Sequence, residues 1–212
     1  MLDRIAPVPS FLQNEQISVA IKNSSSDIAL ITCLHEICDA LTIREKVQLE
    51  KVMLICDADE KMACDKKEYL LQAAQYTEDF QICRQNNEMN LELSLSNDRK
   101  IVIPMMMYAF PNDDNKGTLE DVLLETAEQS FPELLEPAEI YVDSIDSQIY
   151  TELAHSAKRK KAIVGCIGNI LRPGKANQVA ISDSEWISPK SMECTGVKQL
   201  ATIMREFVDL QV

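Results

Sequence analysis

Five apolar residues in unbroken succession, Val52-Met53-Leu54-Ile55-Cys56, run directly into Asp57-Ala58-Asp59. An apolar run without polar alternation predicts a strand buried on both faces, the kind found in parallel sheets. In open α/β sheets, ligands bind in the crevice beyond the carboxyl ends of the strands. Two acids placed there repel one another unless something positive joins them. A hard divalent cation such as Mg²⁺, held through one or two carboxylates and several waters, is the usual answer. Asp57 and Asp59 are therefore the first candidate ligands.

A chain of 212 residues suits one α/β domain, spanning 1–212, and can bury a sizeable core. Its 34 acids against 21 bases give a formal net charge of -13. That balance argues against whole-surface binding to nucleic acid and requires any working cations to be clustered. The longest apolar runs fall far short of the roughly 18 residues of a membrane span, and nothing resembles a secretion signal. Seven cysteines at irregular spacing include no C-x-x-C pair. The expectation is reduced thiols in a cytoplasmic protein with no membrane partner, no disulfides and no structural zinc.

Coarse patterning fills in the elements. Ile17 to Ile21 alternates enough for a strand. Ser24, Ser25, Ser26 and Asp27 offer caps to a helix whose apolar face is Ile28, Ile31, Leu34 and Cys38. A second helical stretch is expected near 43–49 and another over 66–80. Leu91 to Leu95 alternates strictly, Asn97-Asp98 supplies turn chemistry, and Ile101 to Ile103 answers it, so a β-hairpin is predicted. Pro104 predicts a break or an edge position, and Met105, Met106 and Met107 read as core or edge strand. Past Pro111 comes a second acidic knot, Asn112-Asp113-Asp114-Asn115-Lys116-Gly117. Thr118 with Asp121 then opens a helix in the manner of a capping box. Both acidic knots thus fall where a strand ends and a helix begins.

Charge segregates in the second half. From Ile101 to Ala157 there are 12 acids and one base, while 158–182 holds six bases and no acid. Those six, Lys158, Arg159, Lys160, Lys161, Arg172 and Lys175, are the candidate phosphate contacts. A run of cations at a helix start opposes the helix dipole by a few tenths of a kcal/mol to about 1. Ala162, Ile163, Cys166, Ile167 and Ile170 give that helix its apolar face, Arg172-Pro173-Gly174 ends it, and a last amphipathic helix runs from Val197 to Val208. His35 and His155 read as ordinary polar residues, and a single tryptophan, Trp186, makes a poor stacking platform for bases.

Three blocks, taken in order, resemble an uncharacterised prokaryotic family related to the Toprim domains. They are Val52 to Asp59, then Pro111 to Asp121 with Asp114-Asn115, Gly117 and Leu119-Glu120-Asp121, then Lys161 to Ile181 with Pro173-Gly174. The resemblance covers roughly residues 50 to 182. It implies a Toprim-like α/β fold: a mixed, largely parallel sheet flanked by helices, with the β-hairpin as an insertion. It further implies Mg²⁺ on Asp57 and Asp59, joined by Asp114, with Asp113, Asn115, Glu120 and Asp121 around them. Such a centre serves phosphoryl transfer or phosphodiester cleavage on a phosphate-bearing ligand, nucleic acid included.

The family's opening strand, ending in Glu-Gly, is not found here; the strand at 17–21 ends in Lys22-Asn23. Either the chain begins downstream of that strand or the glutamate is lost, and the catalytic residues stay unassigned. An uncovered sheet edge at this end would favour homo-oligomers. Two other readings stay open. One keeps the fold as a non-catalytic interaction or regulatory module with an acidic surface at 113–152. The other is a haloacid-dehalogenase-like phosphotransferase with Asp57 as nucleophile.

Overall fold

The alternating segments pair with one another, as their period of two requires. The computed structural model describes residues 10–13, 15, 17–43, 49–75, 80–85, 88–94 and 100–208. Their backbone divides into a first unit (1–54, 67–107 and 206–212) and a second (55–66 and 108–205). In the first, β1 (Ser10–Gln13) pairs antiparallel with β2 (Ser18–Ile21). Helix α1 (Asp27–Ile43) follows, and the Ser26 hydroxyl accepts the Ala29 N–H at 3.2 Å. Its inner face is Cys33, Leu34, Cys38 and Leu41, whereas Ile28, expected on that face, is 74% exposed.

The main sheet contains β3 (Val52–Asp57), β4 (Phe80–Gln85), β5 (Glu88–Ser94) and β6 (Lys100–Phe110), in the order β3-β6-β5-β4. β4 pairs antiparallel with β5, and β5 with β6, Leu91 facing Ile103. The hairpin is present; its turn at 97–98 lies outside the described residues, as do Met1 to Ile5, which read as the tail of a helix, and 44–48 of the expected second helix.

Four sequence expectations change. The sheet is mixed but not largely parallel, because consecutive hairpin strands, rather than strand–helix–strand crossovers, supply most of its neighbours. Among the described residues β3, which carries the apolar run, is an edge strand, with Ile55 38% exposed, so the run's continuity does not reflect burial on both faces. Pro104 does not break β6: it sits opposite Asn90 and faces outward between buried Ile103 and Met105. The loss of one donor is outweighed by a strand whose alternation continues on either side. The helix expected over 66–80 is α2 (Ala63–Ala74), and Phe80 belongs to β4.

The second unit is helical: α3 (Leu119–Ser130), α4 (Pro132–Asp143), α5 (Ser156–Leu171), α6 (Asn177–Asp183) and α7 (Thr195–Phe207). Its core joins Leu123 and Ala127 of α3, Ala138 and Val142 of α4, and Ile163, Val164 and Ile167 of α5 around Trp186. The indole N–H donates to the Leu123 carbonyl at 3.0 Å, and the ring meets Phe131 edge-on, so Trp186 is a core residue. Ile170, expected on the inner face of α5, is 57% exposed. No helix among the described residues is long and apolar enough to cross a membrane.

Candidate metal centre

The ends of β3 and β6 and the start of α3, all in the second unit, are tied by their backbones. Ala58 donates its N–H to the Phe110 carbonyl at 3.1 Å, and Asp59 donates to the Gly117 carbonyl at 2.7 Å. The Asp59–Gly117 bridge holds the two acidic knots against each other. Gly117 has φ 142°, a conformation side chains rarely adopt, and a Cβ there would lie 2.7 Å from Asp121 Oδ2. Asp59 and Asp113 also occupy left-handed backbone, at φ 57° and 63°, where aspartate is among the better tolerated residues.

Asp57 Oδ1 accepts the Leu119 N–H at 2.8 Å, which sets a carboxylate at the positive end of α3. The capping box forms as expected: Asp121 Oδ2 accepts the Thr118 N–H at 2.9 Å. Burial, the largest influence, pushes the Asp57 carboxyl above its ordinary range. The charges of Glu120 and Asp59 push the same way, against the Leu119 N–H and Lys161. Glu120 sits beside it in an odd position. Its Oε1 is 3.8 Å from Lys161 Nζ, and its buried Oε2 has no hydrogen-bond partner.

The carboxylates of Asp59 and Asp113 have partners. Asp59 Oδ2 accepts from Lys66 Nζ at 2.7 Å; Lys66 is 4% exposed. Sequence reasoning missed this cation, although it shares a helical stripe with the buried Ala63, Leu70 and Ala74. Asp113 Oδ1 accepts the Ala109 N–H at 2.8 Å. Asn112 Oδ1 accepts from the Asp114 and Asn115 N–H groups, and the residues Asp114 and Asn115 are exposed. Among the described residues, no three His, Cys, Asp or Glu side chains gather closely enough to form a metal cage.

The basic run is largely engaged by the acidic segment that precedes it. Lys158 pairs with Glu152 at 3.0 Å, Arg159 with both oxygens of Asp143 at 2.6 and 2.7 Å, and Lys160 with Asp121 at 2.6 Å. Arg172 donates to the Asp183 carbonyl at 2.6 Å, and Lys175 is exposed. The Arg159 guanidinium lowers the Asp143 carboxyl, and Lys158 lowers that of Glu152. Sequence reasoning also missed Glu125, whose carboxylate accepts the Thr195 and Gly196 N–H groups at 2.6 and 3.2 Å. No spacing pattern marks an acid 70 residues from the helix it caps.

A family model described as Protein of unknown function (DUF3226) matches residues 7–206. No curated protein and no solved structure matches the chain.

Proposed function

We propose, from the premise that this chain belongs to the family Protein of unknown function (DUF3226), that it is a Toprim-like protein. In this reading Asp57 and Glu120 hold Mg²⁺ and present it to a phosphate-bearing ligand, nucleic acid being one such class. The observation that carries the reading is the buried Glu120 Oε2, left without a donor next to an Asp57 whose pKa its charge helps to raise. Leaving a buried carboxylate oxygen unpaired costs on the order of 1–3 kcal/mol or more, and a cation would recover it.

Mg²⁺ keeps several waters and needs only one or two carboxylates besides phosphate, so the donor set fits without an all-protein cage. Asp57 Oδ1 accepts the Leu119 N–H, so Oδ2 is the oxygen that would take the ion. Asp59 adds charge while remaining on Lys66. Asp114, exposed on its turn, is not needed. Bound Mg²⁺ would supply neutralisation of phosphate charge and a more acidic water. Lys161 is half exposed, with only a 3.8 Å ion pair, and is the member of the basic run best placed to meet the phosphate.

A second reading, a non-catalytic module whose acids are structural, is favoured by the Asp57–Leu119 and Lys160–Asp121 bonds. Calorimetric titration of chelator-stripped protein with Mg²⁺ and with Mn²⁺ separates the two. Saturable binding that is lost in both Asp57→Asn and Glu120→Gln supports the metal centre. Absence of binding in the parent protein makes the corner a structural staple.

A further inference from the structure

α4 turns Ala138 and Val142 into the core of the second unit, with Leu134 and Leu135 partly buried beside them. Its outward side carries Ile140 and Tyr141, 63% and 60% exposed. Just beyond its end, Ile149 and Tyr150 are 72% and 61% exposed. The Tyr150 N–H donates to the Asp146 carbonyl at 2.9 Å in the intervening turn, which fixes these two residues within a turn or two of α4. Four large apolar or aromatic side chains within 11 residues are more than isolated surface hydrophobics, and such sets mark interaction sites.

Charge around them decides the occupant. Glu133, Glu136 and Glu139 of α4 and Asp146 of the turn make no ion pair among the described residues, unlike Asp143 and Glu152, although Glu139 lies near enough to Arg159 to raise that guanidinium and Asp146 Oδ1 accepts the Gln148 N–H at 2.8 Å. Anionic lipid headgroups and nucleic acid are repelled by such a face. A second copy would bring the same acids against themselves and add another net charge of -13. We infer that the outer face of α4 and the turn at 144–150 dock a basic amphipathic segment of another protein. In that interface, apolar residues cover Ile140 and Ile149, and arginines or lysines meet the tyrosine rings and the glutamates of α4. The inference does not rest on the metal centre.

Fluorescence anisotropy with the full chain in chelator tests it, so that a failed metal centre leaves the result untouched. The probe is a labelled amphipathic helical peptide with leucines on one face and arginines on the other. A twin in which serines replace the leucines keeps the same charge. The expected result is binding of the leucine peptide at least ten times tighter than of the serine twin. Ile140→Ser with Tyr150→Ser should remove that preference, and Glu136→Lys with Glu139→Lys should weaken both peptides. These positions are exposed or half-buried, so unchanged melting temperatures verify folding. Equal affinity for the two peptides, a preference that survives the Ile140/Tyr150 variant, or no binding would overturn the inference. So would binding of the parent protein to phosphatidylserine vesicles by the same face.

Discussion

Asp57 carries the sharpest consequence at the scale of single residues. Its carboxyl is pushed up by burial and then by Glu120 and Asp59. The folded chain therefore holds that proton more tightly than the unfolded chain does. Stability from this group is fully present below the ordinary aspartate value of 3.8 and is lost as pH rises through the elevated folded value. Asp57→Asn keeps an acceptor for Leu119 and removes the buried charge. Without metal it should melt above the parent protein at pH 7, with the gap closing as pH falls toward 4; a variant that melts lower at pH 7 would show that the ionised carboxylate stabilises α3. Gly196 gives a test of opposite sign. A Cβ there would stand 2.6 Å from Val122 Cγ2 and 2.7 Å from the Pro111 carbonyl oxygen. Gly196→Ala should cost roughly 1–3 kcal/mol by overpacking, read as a lower denaturation midpoint at unchanged slope.

At the scale of elements, what could be read from sequence depended on how local the cause was. The hairpin and the capping box of α3 join neighbouring stretches of the chain, and both form as expected. α1, α5 and α7 likewise follow from their apolar stripes. The edge position of β3 could not be read from its own composition, because it depends on strand order. α4 went unread since Pro132 and Pro137 obscure its stripe; Pro132 occupies the first helical turn, where its missing N–H costs nothing. The candidate centre divides the same way. The acids stood out, while Lys66, Glu125 and the partners of the basic run emerged only with the fold. Glu125 makes this testable, because it caps α7 across the chain. Glu125→Ala should cost about 0.5–2 kcal/mol, as cap losses do, and should raise amide exchange over the first turn of α7 above that of α5. Equal protection in parent and variant would mean that the cap contributes nothing.

For the whole molecule, a net charge of -13 and the proposed Mg²⁺ site predict two different effects of added salt. Self-repulsion at this charge destabilises the folded state, and any electrolyte screens it. The fold already brings the basic run against the acidic segment through the α5 ion pairs, so the screening benefit of NaCl should be modest and shared by all variants. Mg²⁺ bound at the proposed Asp57–Glu120 site would act instead by mass action. At about 100 times its dissociation constant, a ligand that binds only the folded state adds roughly 2.7 kcal/mol. For a chain of this length that is on the order of 5–11 °C in melting temperature. Trp186, the single tryptophan, is fully buried in the unit that holds Asp57 and reports the transition. Melts at fixed ionic strength, with NaCl exchanged for MgCl₂, should show the increment in the parent protein and not in Asp57→Asn or Glu120→Gln. An equal rise in all three would assign the whole effect to Mg²⁺ associating elsewhere on the acidic surface, and the two carboxylates would then be a strained corner of the fold with no metal to relieve it.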